Sequence, residues 1–161
     1  MKIRLSVNKL PWSTHLNIDP CPLIEQNMEN QFEVFARDIR NLDSIVETSE
    51  CTEILVEDGI DYVHTSVLIE VVENWLSKLR HNGTIILKGT NLETVVRKYI
   101  NGQITTLDLN NILYGTQDHP WHYKSGCVNI EEVVEILQKA GLKIISKQID
   151  NDQFVVIGRR P

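Results

Sequence analysis

Long apolar runs are missing from this chain. No stretch approaches the roughly 20 consecutive apolar residues that span a bilayer, so no membrane segment is expected. The opening residues MKIRLSVNKLPW lack the apolar core of a secretory signal, and a cytoplasmic setting is the expectation. Basic runs are missing too. Net charge is −6 and the only paired arginines are Arg159 and Arg160, too few to neutralise a phosphate backbone, so nucleic acid is not an expected partner. Cysteine is scarce and scattered: Cys21, Cys51 and Cys127 have no CxxC spacing, which points to free thiols in a reducing compartment rather than to a disulfide framework or a zinc cluster. Glycine is absent before Gly59. A GxGxxG turn after a strand is therefore excluded, and with it the dinucleotide fingerprint of an oxidoreductase.

What is present reads as one folded domain over 1–161. An apolar fraction of 42% against 24% charged residues is that of a globular chain rather than a disordered one. Residues 2–7 alternate Ile3, Leu5 and Val7 with polar neighbours, the period of a strand. Residues 8–14 hold a proline and no helical period, a loop too short for a crossover helix. A second short strand over 15–19 ends in Asp19 and is stopped by Pro20 and Pro22. The polar segment 23–31 has room for a turn of helix, 32–39 for a third strand, 42–48 for a short helix and 53–57 for a fourth strand.

The strongest signal lies over 66–88. Val67, Leu68, Val71, Val72, Trp75, Leu76 and Leu79 share one helical face, with Thr65 or Ser66 placed to cap it and Gly83 placed to end it in a left-handed conformation. Residues 84–87 follow without alternation, as in a strand buried on both faces. Thr90 or Asn91 opens a further helix, and Thr105 with Asp108 and Asn129 with Glu132 have capping-box spacing. Residues 142–149 and 154–158, joined by Asp150, Asn151 and Asp152, make a closing antiparallel hairpin. Between them the segment from Gly115 to Gly126, GTQDHPWHYKSG, is the longest irregular stretch, and long loops in compact domains are often functional. It contains His119 and His122, three apart. No cysteine or acid cluster nearby in the sequence completes a ligand set, so no metal is expected.

The order of these elements resembles class I S-adenosylmethionine-dependent methyltransferases, in particular the small bacterial and phage type. The segments that carry the likeness are WLSKLRHNGTIIL, THLNIDP, ARDIRNLD, and ILYGTQ followed by VNIEEVVEILQKAGLKI. The resemblance implies an α/β fold, a three-layer Rossmann-like sheet that is mostly parallel with a C-terminal antiparallel hairpin. It implies S-adenosylmethionine as cofactor, held by Ser6 and Asn8 after the first strand, by Asp19 at the ribose hydroxyls, by Asp38 at the adenine and by Glu57 at the end of the fourth strand. It names no catalytic residue and no substrate.

The chain departs from the pattern where a glycine-rich turn should follow the first strand. Val7 and Leu10 are expected to project where the methionine part of the cofactor would lie. Two functions therefore stay open. One is methyl transfer to an unidentified substrate. The other is an inactive methyltransferase-like fold used as a binding or assembly module, for instance in a larger, phage-like particle, with a protein partner or a second copy meeting the loop between Gly115 and Gly126.

Overall fold

The computed structural model describes residues 1–23 and 32–161. Apart from Leu23, the turn of helix expected over 23–31 lies outside them. Strands β1 (Lys2–Leu5), β2 (Leu16–Ile18), β3 (Val34–Phe35), β4 (Cys51–Glu57), β5 (Leu79–Thr90), β6 (Lys143–Asp150) and β7 (Gln153–Arg159) form one sheet in the order β3-β2-β1-β4-β5-β7-β6. The first five pair in parallel, and β7 runs antiparallel between β5 and β6. Strand order reverses between β1 and β4. In open α/β sheets the crevice beyond the carboxyl ends of such a pair is where ligands bind.

Helices α1 (Leu68–Lys78), α2 (Leu92–Ile100), α3 (Thr106–Tyr114) and α4 (Ile130–Lys139) flank the sheet. The row Ile18, Leu5, Val56, Leu87 and Val156 crosses five strands in register. It packs with Leu68, Val71, Val72, Trp75 and Leu76 of α1 and Val133 and Leu137 of α4 in one buried cluster. Full burial of each such side chain contributes roughly 1.5–3 kcal/mol. Trp75 is fully buried, and its indole N–H donates to the Ile39 carbonyl at 2.7 Å, so its polar atom is satisfied. The other face is thinner: Leu55 is buried outside that cluster, and Thr84 and Ile86 are half-buried, so residues 84–87 are not deeply covered on both sides.

Both capping boxes form, Thr105 with Asp108 and Asn129 with Glu132, each with its side-chain and backbone bonds present. Other ends differ from expectation. A single 3-10 turn, Thr65–Val67, precedes α1, and its cap is the His64 ring, which accepts from the Ser66 N–H. The helix ends at Lys78 rather than near Gly83. Asn82 takes the left-handed φ of 59°, while Gly83 enters β5, where a Cβ would meet the Arg80 carbonyl at 2.8 Å. The helix expected over 42–48 is one turn, closed by the Ile45 and Val46 N–H groups on the Leu42 carbonyl. The third strand contracts to two residues. Asn91 caps α2 without a side-chain bond to its backbone, because its amide is held by the Thr94 hydroxyl.

Gly89 sits opposite Phe154 in the β5/β7 ladder. A Cβ there would lie 2.7 Å from both Ile60 Cγ2 and Phe154 Cζ, and Phe154 is fully buried with nowhere to move. Gly89→Ala is expected to destabilise the protein by about 1–3 kcal/mol through overpacking, read as a fall in the denaturation midpoint with an unchanged urea m-value.

Candidate functional site

The crevice at the β1/β4 switch point is built from two left-handed turns. After β1 the chain pairs once more, Ser6 N–H to the Ile18 carbonyl at 3.1 Å, then turns at Asn8 with a φ of 57°. Asparagine tolerates this region where most side chains do not, so the turn that a glycine would ordinarily make is made without one. After β4 the chain turns at Asp58, φ 59°, into a 3-10 turn, Gly59–Tyr62.

Asp19 lies beneath the first turn and is 1% exposed. Its Oδ1 accepts the backbone N–H of Asn8 at 3.0 Å and of Cys21 at 2.9 Å; its Oδ2 accepts the Ser6 hydroxyl at 2.9 Å and the Lys9 N–H at 3.2 Å. An ionised carboxylate offers about four acceptor positions, and the chain itself fills four. Ser6, Asn8 and Asp19 are thus brought together, with Lys9 and Cys21 as members that sequence spacing did not indicate.

Glu57 and Asp38 are each held elsewhere. Glu57 receives both Nε and Nη2 of Arg4, at 2.7 and 2.5 Å. Arg4 also donates to the Leu10 carbonyl at 2.7 Å and lies over the Trp12 ring at 4.8 Å. Its side chain is 3% exposed, and a charge so buried requires a partner of this quality. Asp38 is paired with Arg40 two residues on, at 2.7 Å. Burial opposes its charge, but the hydrogen bonds and charge of Arg40 outweigh that and hold its carboxyl below the usual range. Arg40 in turn lies 4.9 Å over the Trp121 ring. Val7 is buried in the core beneath the turn and also lines the small cleft beside it, whereas Leu10 is exposed and contributes only its carbonyl.

The remaining wall is the segment 115–126. Asp61, 1% exposed, anchors its end: its carboxylate accepts the Thr90 hydroxyl at 2.5 Å and Lys124 Nζ at 3.2 Å, and its carbonyl accepts the N–H groups of Ser125 and Gly126. Burial pushes the Asp61 carboxyl up, against the lowering effect of Lys124 and Thr90. Burial, Asp58 and Asp61 push the Tyr62 phenol up to about 12, so it stays neutral. Between these walls lies a cleft of about 210 Å³, lined by Asn8, Lys9, Asp58, Tyr62, His122 and Lys124 among others. Lys9 Nζ reaches Asp58 at 3.0 Å, an ion pair joining its two loops. Asp58 also accepts from Gln153 Nε2 at 2.5 Å.

Among the described residues no helix is long and apolar enough to cross a membrane. Neither a protein-family model nor a curated protein sequence matches the chain. Solved structures do. A SAM-dependent methyltransferase from Archaeoglobus fulgidus superposes with a TM-score of 0.59 at 14% identity, over 99% of this chain and 86% of that one. A SAM-dependent methyltransferase from Thermotoga maritima, described as a possible histamine N-methyltransferase, gives 0.62 at 11% identity over 100% and 83%. The methyltransferase complexed with the Trm112 activator of Haloferax volcanii gives 0.64 at 12% identity over 100% and 84%. The seven-stranded sheet, its reversal between β1 and β4 and its antiparallel β7 therefore constitute a Rossmann-like methyltransferase fold.

Proposed function

We propose that this chain uses a methyltransferase fold for binding or assembly rather than for methyl transfer from S-adenosylmethionine. The observation that carries this reading is the saturated carboxylate of Asp19. A ribose diol needs two acceptor positions there, and the Asn8, Lys9 and Cys21 N–H groups and the Ser6 hydroxyl occupy all four. The other candidate cofactor contacts point the same way. Glu57 is bound to Arg4, Asp38 to Arg40, and the Lys9–Asp58 pair joins the two loops of the crevice. The cleft volume of about 210 Å³ is also below the roughly 300–1,000 Å³ of ordinary ligand pockets. The residues present do not fit the cofactor, and no methyl-transfer step is assigned to them.

A protein partner or a second copy of the chain is the occupant this reading requires. The elements leading into the segment 115–126 leave Ile100, Leu107 and Tyr114 exposed, and the segment adds Tyr123. One structural neighbour is itself a methyltransferase held by an activator protein. The catalytic reading keeps one observation in its favour: Asn8 preserves the left-handed turn after β1.

Calorimetric titration and thermal unfolding with S-adenosylmethionine and S-adenosylhomocysteine separate the two. The expected result is no heat and no shift. Saturable binding, which at 100 times the Kd adds about 2.7 kcal/mol of stability, overturns the proposal.

A second test concerns Asp19 itself. As a structural anchor, Asp19→Ala leaves the buried Ser6 hydroxyl and three half-buried N–H groups without their acceptor and is expected to cost about 3 kcal/mol in urea denaturation. As a ribose ligand in an open site it would lower cofactor affinity with little change in stability.

A further inference from the structure

We propose that Cys21, His119 and His122 form a site for one transition-metal ion of the zinc type. The three residues come from opposite ends of the crevice. One ligand atom from each lies within 4.8 Å of the other two, and Cys21 Sγ is 3.7 Å from His122 Nε2. On a tetrahedral zinc ion with Zn–S of about 2.3 Å and Zn–N of about 2.0–2.1 Å, sulfur and nitrogen stand about 3.6 Å apart. The Cys21–His122 pair is already at that separation. His119 is exposed, with its ring centroid 5.2 Å from that of His122, and has the freedom to close the remaining distance.

Each ligand residue also makes a bond through an atom other than the one offered to the metal. The Cys21 N–H is fixed on Asp19 Oδ1 at 2.9 Å, which sets the position of its thiol. The two histidines belong to one turn, closed by the His122 N–H on the His119 carbonyl at 2.8 Å. His119 Nδ1 accepts the Trp121 N–H at 3.3 Å, leaving Nε2 available. His122 Nδ1 is bonded to the Asp118 carboxylate, and Asp118 is itself held by the Thr116 hydroxyl at 2.6 Å. A proton kept on Nδ1 by that carboxylate directs the Nε2 lone pair at Cys21. Carboxylate, histidine and metal in line is the arrangement that orients a ligating imidazole and raises its basicity.

The donor set determines the ion. One thiolate and two imidazoles suit zinc, cobalt(II) or copper and not magnesium or calcium, which take oxygen ligands. On binding, the sulfur–metal bond replaces the S–H bond and the thiol proton passes to solvent. Three protein ligands leave a fourth position for water or for a side chain of a partner. The two histidines alone gave no reason to expect this, because the third ligand lies 101 residues away in sequence. The site does not rest on the fate of the S-adenosylmethionine crevice and stands whether or not that cofactor binds.

The test is a titration of the reduced, chelator-treated protein with cobalt(II), followed by zinc(II). One ion per chain is expected, with a thiolate-to-cobalt charge-transfer band that zinc abolishes. His119→Ala, an exposed substitution, and Cys21→Ser should each remove the stoichiometric band, while Cys127→Ser should leave it intact. Asp118→Asn, which touches no metal, should weaken affinity by about 10–100-fold, a change that a disrupted fold, checked by circular dichroism, would not mimic. Absence of stoichiometric binding by the wild-type protein, or a thiolate band that survives Cys21→Ser, overturns the proposal.

Discussion

The carboxylate of Asp19 is the contact on which the switch-point region depends. It sits at the end of β2 and gathers donors from the turn after β1 and from the start of the next segment. Without it, a left-handed asparagine turn, three half-buried backbone N–H groups and a buried hydroxyl would need other partners. A buried carboxylate is itself costly unless its acceptor positions are filled. Here the cost of burying the charge and the cost of an irregular turn offset one another.

A buried ion pair supports the same stretch from further back along β1. Arg4 projects from β1 on the side away from the main core, where the sheet is thinly covered, and it gathers Glu57, the Leu10 carbonyl and the Trp12 ring. It thereby fixes the 8–14 loop across β1 and β4. Between them, Arg4 and Asp19 hold successive parts of this irregular stretch against the end of β1. With Lys9 on Asp58 and Gln153 on Asp58, the loops after β1 and β4 become parts of one polar network. Such a network rigidifies a surface, which suits recognition by shape more than the opening and closing of a cofactor cleft.

Legibility from the sequence followed the range of the interactions. Capping boxes are bonds between residues three apart, and both were readable. The apolar stripe of α1 was readable because its period is local, although Val67 at its edge is exposed. The end of α1 was not. Asn82 takes the left-handed position and Gly83 is required by its close approach to Leu79 and Arg80, a local turn geometry that the helix-ending rule does not describe. The third strand shortened because only Asn17 and Ile18 offer it a partner. In the site, Asp19 was indicated by its place at a strand end, together with Ser6 and Asn8. Arg4 was hidden in an ordinary alternating strand, and Cys21 in a proline-rich turn, because their meaning depends on partners 53 and 101 residues distant.

These observations connect the two ends of the crevice. Asp19 Oδ1 holds both the Asn8 N–H and the Cys21 N–H, so the group that supports the turn after β1 also supports the backbone of Cys21, whose sulfur faces His122. The histidine side is fixed independently, through Asp61 and Lys124 at the base of the loop and Asp118 behind the ring. A buried carboxylate at the end of β2 needs donors. Supplying them from the chain orders the loops around it. The turn after β1 and the position of the Cys21 backbone then depend on how one carboxylate is satisfied.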